Sequence, residues 1–296
     1  MFVFLSQTFW DFPALARRTQ RAQLVTISYS HFVEGARWCL DASGVAYDEA
    51  GYAPGQHILP VISVRVPKGG KPVFASSSNV SGNKSKPSPT SVPVMVSPSG
   101  KVFEDSWAIA ESCTGLKQID QGDSLKTMLD EELGPAVRSL AYCYLFKPAI
   151  LPHFAKMCTE GRHWLFRLVW FCGFGSYLIK RMAGLFKTND PATLQNCIDQ
   201  TQAALDKIAQ LLATKKSKYL SGPELGVADI FAASLIAVVV NPPEYGGRDS
   251  SLVRHTAEQE RLDPEYAAHI RKWREHPAGQ YCLEIYKAHR MTGIGK

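Results

Sequence analysis

The 296-residue chain is 45% hydrophobic and 20% charged, enough apolar mass for one large or two ordinary domains of a soluble globular protein. Its formal charge of +6 is only mildly basic, and neither Arg17, Arg18 and Arg21 nor the lysines between Lys68 and Lys86 are interleaved with aromatics, which argues against nucleic-acid binding. Seven cysteines, an odd number with no CxxC and no Cys/His ligand spacing, point to reduced thiols and away from a disulfide framework or a metal site.

Residues 1–22 hold three Arg and one Asp. The opening Met-Phe-Val-Phe-Leu is too short for a secretion signal, so an N-terminal extension is expected, with organelle targeting as its alternative role. Leu24–Ser28 reads as a strand and Phe32–Ser43 as a helix closed by Gly44. Ser30 lies at their junction, where a helix start exposes backbone N–H groups and the positive end of a dipole. Its hydroxyl suits either an anionic ligand or a plain helix cap. Val45–Tyr52 is a second strand interrupted by Asp48, Glu49 and Gly51. His57–Val66 alternates like a strand, yet its place after a β-α-β start suits a short helix. Residues 67–91, rich in Pro, Gly, Ser and Lys, read as a long surface loop. Its sequons at Asn79 and Asn83 would matter only in a secreted protein, which the cysteine pattern argues against. Val92–Val96, the turn Ser97–Gly100 and Lys101–Glu104 form a hairpin, and Asp105-Ser106 opens a helix. Beyond about residue 120 strand signals vanish, and helical periodicity covers 125–146, 149–184, 191–214, 226–240 and 264–290. The longest apolar stretch, Leu168–Ile179, has 12 residues. A bilayer span needs about 20, so this is expected to be a bundle helix, with membrane contact as its alternative.

Four segments together resemble the glutathione transferase family. Ser30-His-Phe-Val-Glu-Gly-Ala-Arg37 is similar to the first loop and helix of its tau and omega classes, which carry Ser-Pro-Phe-Val or Cys-Pro-Phe-Ala followed by Arg. Ser91-Val-Pro-Val-Met95 looks like the family's Val-Pro-Val-Leu, in which the proline is cis. Phe103-Glu-Asp-Ser-Trp-Ala-Ile109 resembles its Glu-Ser-x-x-Ile segment. Tyr219-Leu-Ser-Gly-Pro-Glu-Leu-Gly-Val-Ala-Asp-Ile230 resembles the Phe-Leu-x-Gly…Ala-Asp-Ile signature of its helical domain. The match is poorest over 1–22, 53–91 and the final 50 residues. The resemblance implies an α/β, thioredoxin-like glutathione-binding domain over 23–116, with a loop insertion at 67–91, followed by an all-helical domain over 125–290.

It further implies glutathione as co-substrate, a hydrophobic electrophile as partner, no metal, and Ser30 as the catalytic residue. A thiol is nucleophilic only as its thiolate. A hydroxyl donating to that sulfur favours the thiolate by about 1.5–3 kcal/mol, roughly one to two pKa units. Ser28 and Tyr29 are rival hydroxyls; strand alternation groups Ser28 with Ser30, and motif alignment selects Ser30. His31 replaces the usual Pro, either as a second donor to the sulfur or as a surface histidine without a role. Val92 and Pro93 would meet the cysteinyl backbone, Ser106 the γ-glutamyl carboxylate and Asp105 its ammonium. For the glycyl carboxylate the candidates are Gln56, His57, Arg65 and Lys68, with His57 chosen. Gly226-Val-Ala-Asp229 looks like the family's buried capping box with Gly in the place of Ser or Thr, so Asp229 is expected to be structural. Tyr142, Tyr144, Trp164 and Phe166 are expected in the core more than in a substrate pocket. A cytoplasmic location is expected, with no nucleic-acid partner and no transmembrane segment. Family members are commonly homodimers, but the 67–91 insertion leaves dimer, altered dimer and monomer open. Two other functions stand beside the transferase: a non-catalytic ligand carrier or adaptor, and a thiol–disulfide reductase, which would want Cys at position 30.

Overall fold

A computed structural model describes residues 20–65, 90–120, 123–215, 217–247 and 251–290. The N-terminal extension, loop 67–91 apart from its last two residues, and Lys68 lie outside them. The chain divides into two compact units, Met1–Thr114 and Gly115–Lys296.

The first unit is built on a four-stranded sheet in the order β2-β1-β3-β4. Strand β1, Ala22–Ile27, is buried almost throughout, as a central strand must be. It pairs parallel with β2, Tyr47–Tyr52, and antiparallel with β3, Val94–Val96. The polar residues that weaken β2 as a sequence signal are the ones its neighbours use. Gln23 Nε2 donates to Asp48 at 3.0 Å, and Thr26 Oγ1 donates to Glu49 at 2.7 Å. A Cβ on Gly51 would stand 2.4 Å from Ser28 Oγ, so a larger residue there would push that hydroxyl aside. Helix α1, His31–Ala42, packs against α3, Ser106–Glu111. The ambiguous segment is a helix, α2, Ile58–Arg65, in which Val61 joins Val25, Tyr52 and Val94 in one apolar cluster. Strand β4, Val102–Phe103, completes the hairpin across a turn closed by Gly100 N–H donating to Ser97 at 2.8 Å.

The second unit is helical. Ser124–Thr127 (α4), a π-helical stretch Met128–Leu133 and Gly134–Leu145 (α5) follow one another directly. The segment expected at 149–184 is in fact two, Leu151–Thr159 (α6) and a run of Trp164–Val169 (α7), π-helical Trp170–Phe174 and Gly175–Phe186 (α8). The break falls at Gly161, whose φ of +67° suits glycine, and His163 then caps α7. Pro191–Thr214 (α9) precedes Val227–Val240 (α10), which is buried on every side. A helix absent from the sequence reading, Leu252–Leu262 (α11), precedes Pro264–Glu275 (α12) and Pro277–Ile285 (α13). Its inner face uses Leu252, His255 and Gln259, so hydropathy hides its period. Helices α5, α12 and α13 all pack on α10. No helix among the described residues is long and apolar enough to cross a membrane.

Candidate functional site

The end of β1 sets the first element of the site. The strand stops at Ile27, Ser30 N–H closes a turn onto Ile27 O at 2.9 Å, and α1 begins at His31. Ser28 and Tyr29 therefore lie in the turn, and the alternation expected to group Ser28 with Ser30 does not extend to them. The exposed Ser28 has its hydroxyl over Gly51, whereas Ser30 is half-buried at the helix start. Ser30 has the extended backbone of an N-cap, and its carbonyl accepts from Glu34 N–H at 2.9 Å, but its hydroxyl makes no capping hydrogen bond. Ser30 is an N-cap residue by position alone. His31 is buried, with its ring 4.7 Å from that of Phe32, so the surface reading of this histidine is corrected.

Beneath this turn lies an ionic cluster. Arg37 donates to Glu34 at 2.8 Å and to both oxygens of Glu49 at 2.7 and 2.9 Å, and also reaches Ser28 O at 3.4 Å. Burial alone would lower the guanidinium pKa, but the hydrogen bonds and charges of Glu49 and Glu34 outweigh it and hold the group charged. Burial likewise works against the Glu49 carboxylate, and Arg37 and Thr26 win, leaving its pKa below the ordinary value. The cluster ties β1, α1 and β2 together directly behind Ser30. Arg37 belongs to the quoted motif; the sequence signal for its role was the Glu34–Arg37 spacing of three on one helix face.

The antiparallel register sets the second element. Val25 pairs with Val94 and Leu24 with Met95, and Val92 lies two residues before Val94, where β3 begins. The Val92–Pro93 peptide is cis. The third element is the start of α3, where Asp105 Oδ1 accepts from Ala108 N–H at 2.8 Å and Ser106 is buried as the first helical residue. Arg65, at the end of α2, links the two: its Nη2 donates to Ser91 Oγ at 3.3 Å and to Glu104 O at 2.5 Å. These are the residues preceding Val92 and Asp105.

Of the other residues considered for the glycyl end, Gln56 is buried and accepts from Ala53 N–H at 3.1 Å. His57 Nδ1 accepts from Gly55 N–H at 3.2 Å, so Nε2 carries the proton and donates to Thr90 O at 3.1 Å. Burial pushes the imidazole below its ordinary pKa against the opposing pull of the Ala53 and Thr90 carbonyls. His57 is thus a neutral brace of the Thr90 segment. Tyr144 and Phe166 are in the core, Tyr142 is half-buried and Trp164 is exposed. Cys39 is fully buried within α1. Among the described residues no His, Cys, Asp or Glu cluster could hold a metal ion.

The sequence matches no protein-family model and none of the curated proteins. Solved structures do match. A glutathione S-transferase of Ceriporiopsis subvermispora, in complex with glutathione, superposes with a TM-score of 0.52 over 93% of this chain and 100% of its own, at 17% identity. The theta class glutathione S-transferase from Xanthomonas axonopodis pv. citri, with glutathione bound, gives 0.48 over 94% and 100%, also at 17% identity. The first of these likenesses, with the four-stranded sheet and the helical second unit, gives the chain the fold of the glutathione transferases, a thioredoxin-like domain followed by an all-helical one.

Proposed function

We propose that the chain is a glutathione transferase in which the Ser30 hydroxyl donates to the glutathione sulfur and holds it as a thiolate for attack on hydrophobic electrophiles. The carrying observation is that Ser30 occupies the N-cap of α1 yet spends its hydroxyl on no cap. The helix start adds a smaller push toward the thiolate. Val92, two residues before β3, offers its backbone to the cysteinyl part of the tripeptide alongside Pro93. Ser106 takes the γ-glutamyl carboxylate and Asp105 faces the ammonium. His57 and Arg65 act by bracing Thr90, Ser91 and Glu104 around that pocket. A thiol–disulfide reductase is the poorer reading, since position 30 is Ser and the buried Cys39 cannot stand in for it.

Glutathione titration into the wild type and Ser30→Ala, with conjugation to a generic aryl halide, tests this reading. Binding should persist in both. Loss of one charged hydrogen bond, about 1.5–3 kcal/mol, should slow conjugation at pH 7 at least tenfold. The deficit should shrink above pH 8.5 or so, where free thiol ionises without help. Equal rates at pH 7 remove Ser30 from the mechanism. Binding without conjugation by the wild type assigns the chain to the ligand-carrier role.

A further inference from the structure

Eight large apolar side chains stand exposed among the described residues, and six of them come from one segment of the second unit: Trp164, Leu168, Val169, Phe171, Tyr177 and Leu185. Trp164, Phe171 and Tyr177 are 66%, 67% and 60% exposed. The segment is not loosely folded. Its opposite face is anchored by Phe166, Trp170 and Ala183, all buried. Trp170 packs so closely that a Cβ on Gly175 would stand 2.6 Å from its indole. The turn at Gly173, with φ +121°, lets the run bend between α7 and α8. The helix thus has two apolar faces, and only one is used by the core.

The charge around the outer face is one-sided. From residue 161 to residue 189 there is no Asp or Glu, while Arg162, Arg167, Lys180, Arg181 and Lys187 give a formal +5, against +6 for the whole chain. Arg167, Lys180, Arg181 and Lys187 are exposed. The bordering acids are engaged elsewhere: Glu160 with Arg254 at 2.8 Å and His255 at 3.1 Å, and Asp190 as the cap of α9 through Ala192 N–H. Exposed Trp, Phe and Tyr ringed by Lys and Arg match the interfacial layer of an anionic bilayer, where apolar rings sink to the headgroup boundary and cations meet lipid phosphates and carboxylates. A second copy of this chain would bring the same positive face against itself. No described helix can span a bilayer, so the segment would lie on its surface.

We infer that α7–α8 is a membrane-docking element that seats the protein on anionic lipid, independently of whatever chemistry Ser30 performs. The full chain should sediment with vesicles of phosphatidylserine and phosphatidylcholine in roughly equal parts. It should bind phosphatidylcholine alone far more weakly and be released by high salt. The Lys180→Gln/Arg181→Gln variant should lower the partition coefficient about 30-fold. Phe171→Ser should lower it about tenfold or more, and both should keep the wild-type circular dichroism and melting because these side chains are outside the core. Acyl-brominated phosphatidylserine should quench the emission of the wild type and not that of Trp164→Phe. Equal binding to neutral and anionic vesicles, or no sedimentation of the folded protein, overturns the proposal. So do folded variants that bind as tightly as wild type. A stable dimer dissolved by Phe171→Ser, with vesicles left unbound, assigns the face to a second copy and equally overturns it.

Discussion

Removing the Asp229 carboxylate should unfold the second unit's centre at a lower temperature by a margin that can be worked out donor by donor. The side chain is fully buried at the third position of α10. It accepts from Gly226 N–H at 2.9 Å, closing half of a capping box; the other half is missing because Gly226 has no side chain. It also accepts from Leu220 N–H at 2.6 Å, from Ser221 N–H at 3.3 Å and from the Tyr281 hydroxyl of α13. In Asp229→Ala the partly buried Ser221 amide can turn to water. The Gly226 and Leu220 amides and the Tyr281 hydroxyl are buried and lose this partner. At about 1–3 kcal/mol for each of the three orphaned donors, the cost is roughly 3–9 kcal/mol. For a domain of this size that is a fall in melting temperature of about 8–24 °C. Asp229→Asn keeps one acceptor oxygen and should fall between the two. Thermal unfolding followed by circular dichroism measures it. A melting temperature for Asp229→Ala within about 2 °C of wild type would refute the reasoning, since it would mean that the network adds nothing beyond packing.

The ionic cluster behind Ser30 predicts that Arg37→Ala costs about 3–5 kcal/mol, because it strands Glu34, which is 1% exposed, and Glu49 without a cation. Chemical denaturation measures this, and a midpoint equal to wild type contradicts it. Gly226→Ser, which restores the residue type of the family pattern, should destabilise by about 1–3 kcal/mol, since a Cβ there meets Ser221 Oγ at 2.4 Å and Lys117 O at 2.8 Å; a gain in melting temperature rules this out. His153 and His255 stack edge to face between α6 and α11 at 5.4 Å. Burial lowers the pKa of both, and for His255 the neighbouring His153 lowers it further against the pull of Glu160. The unfolded chain then takes up these protons more readily than the folded one, so their contribution is present above about pH 6.5 and lost as pH falls below it. The melting temperature should drop between pH 7 and 5, and less steeply in His153→Gln/His255→Gln. Parallel pH curves for the two proteins contradict that assignment.

Elements whose signal is local were legible in the sequence. β1 reads as a strand because Leu24, Val25, Thr26 and Ile27 are a run of apolar and β-branched residues, and the hairpin reads from its Pro-Ser-Gly turn. α11 did not read because two of its three buried positions are the polar His255 and Gln259, which break the apolar period. The 149–184 segment read as one helix because its hydropathy is continuous; what divides it is the backbone, at Gly161 and again at Gly173. Gly226 looked like a weakened cap. The structure gives the reason: Val227 N–H donates to Lys117 O at 2.9 Å, and the approach of that backbone leaves no room for a side chain. A departure from a family pattern can therefore mark a tighter contact instead of a lost one.

The candidate site divides along the same line. The resemblance to the family's motifs brought Ser30, Val92-Pro93 and Asp105-Ser106 forward, since each lies in a short contiguous segment of the chain. The braces were not legible. Arg65 and His57 act on residues 26 to 39 positions away along the chain, through carbonyls and a hydroxyl that carry no sequence signature. Ser30 shows what the structure adds to a residue already chosen. Asp105, Asp123, Asp190 and Asp263 stand at helix starts, and each spends a side-chain oxygen on a backbone N–H. Ser30 stands at the same kind of position, with a residue type equally suited to capping, and does not. A cap is worth about 1 kcal/mol, which this helix forgoes. Helix α1 can do so because Arg37, Glu34 and Glu49 already fix its first turns to both strands. The ionic cluster and the uncommitted hydroxyl are therefore one arrangement: the cluster holds the helix start in place, and Ser30 is left with its hydrogen to donate.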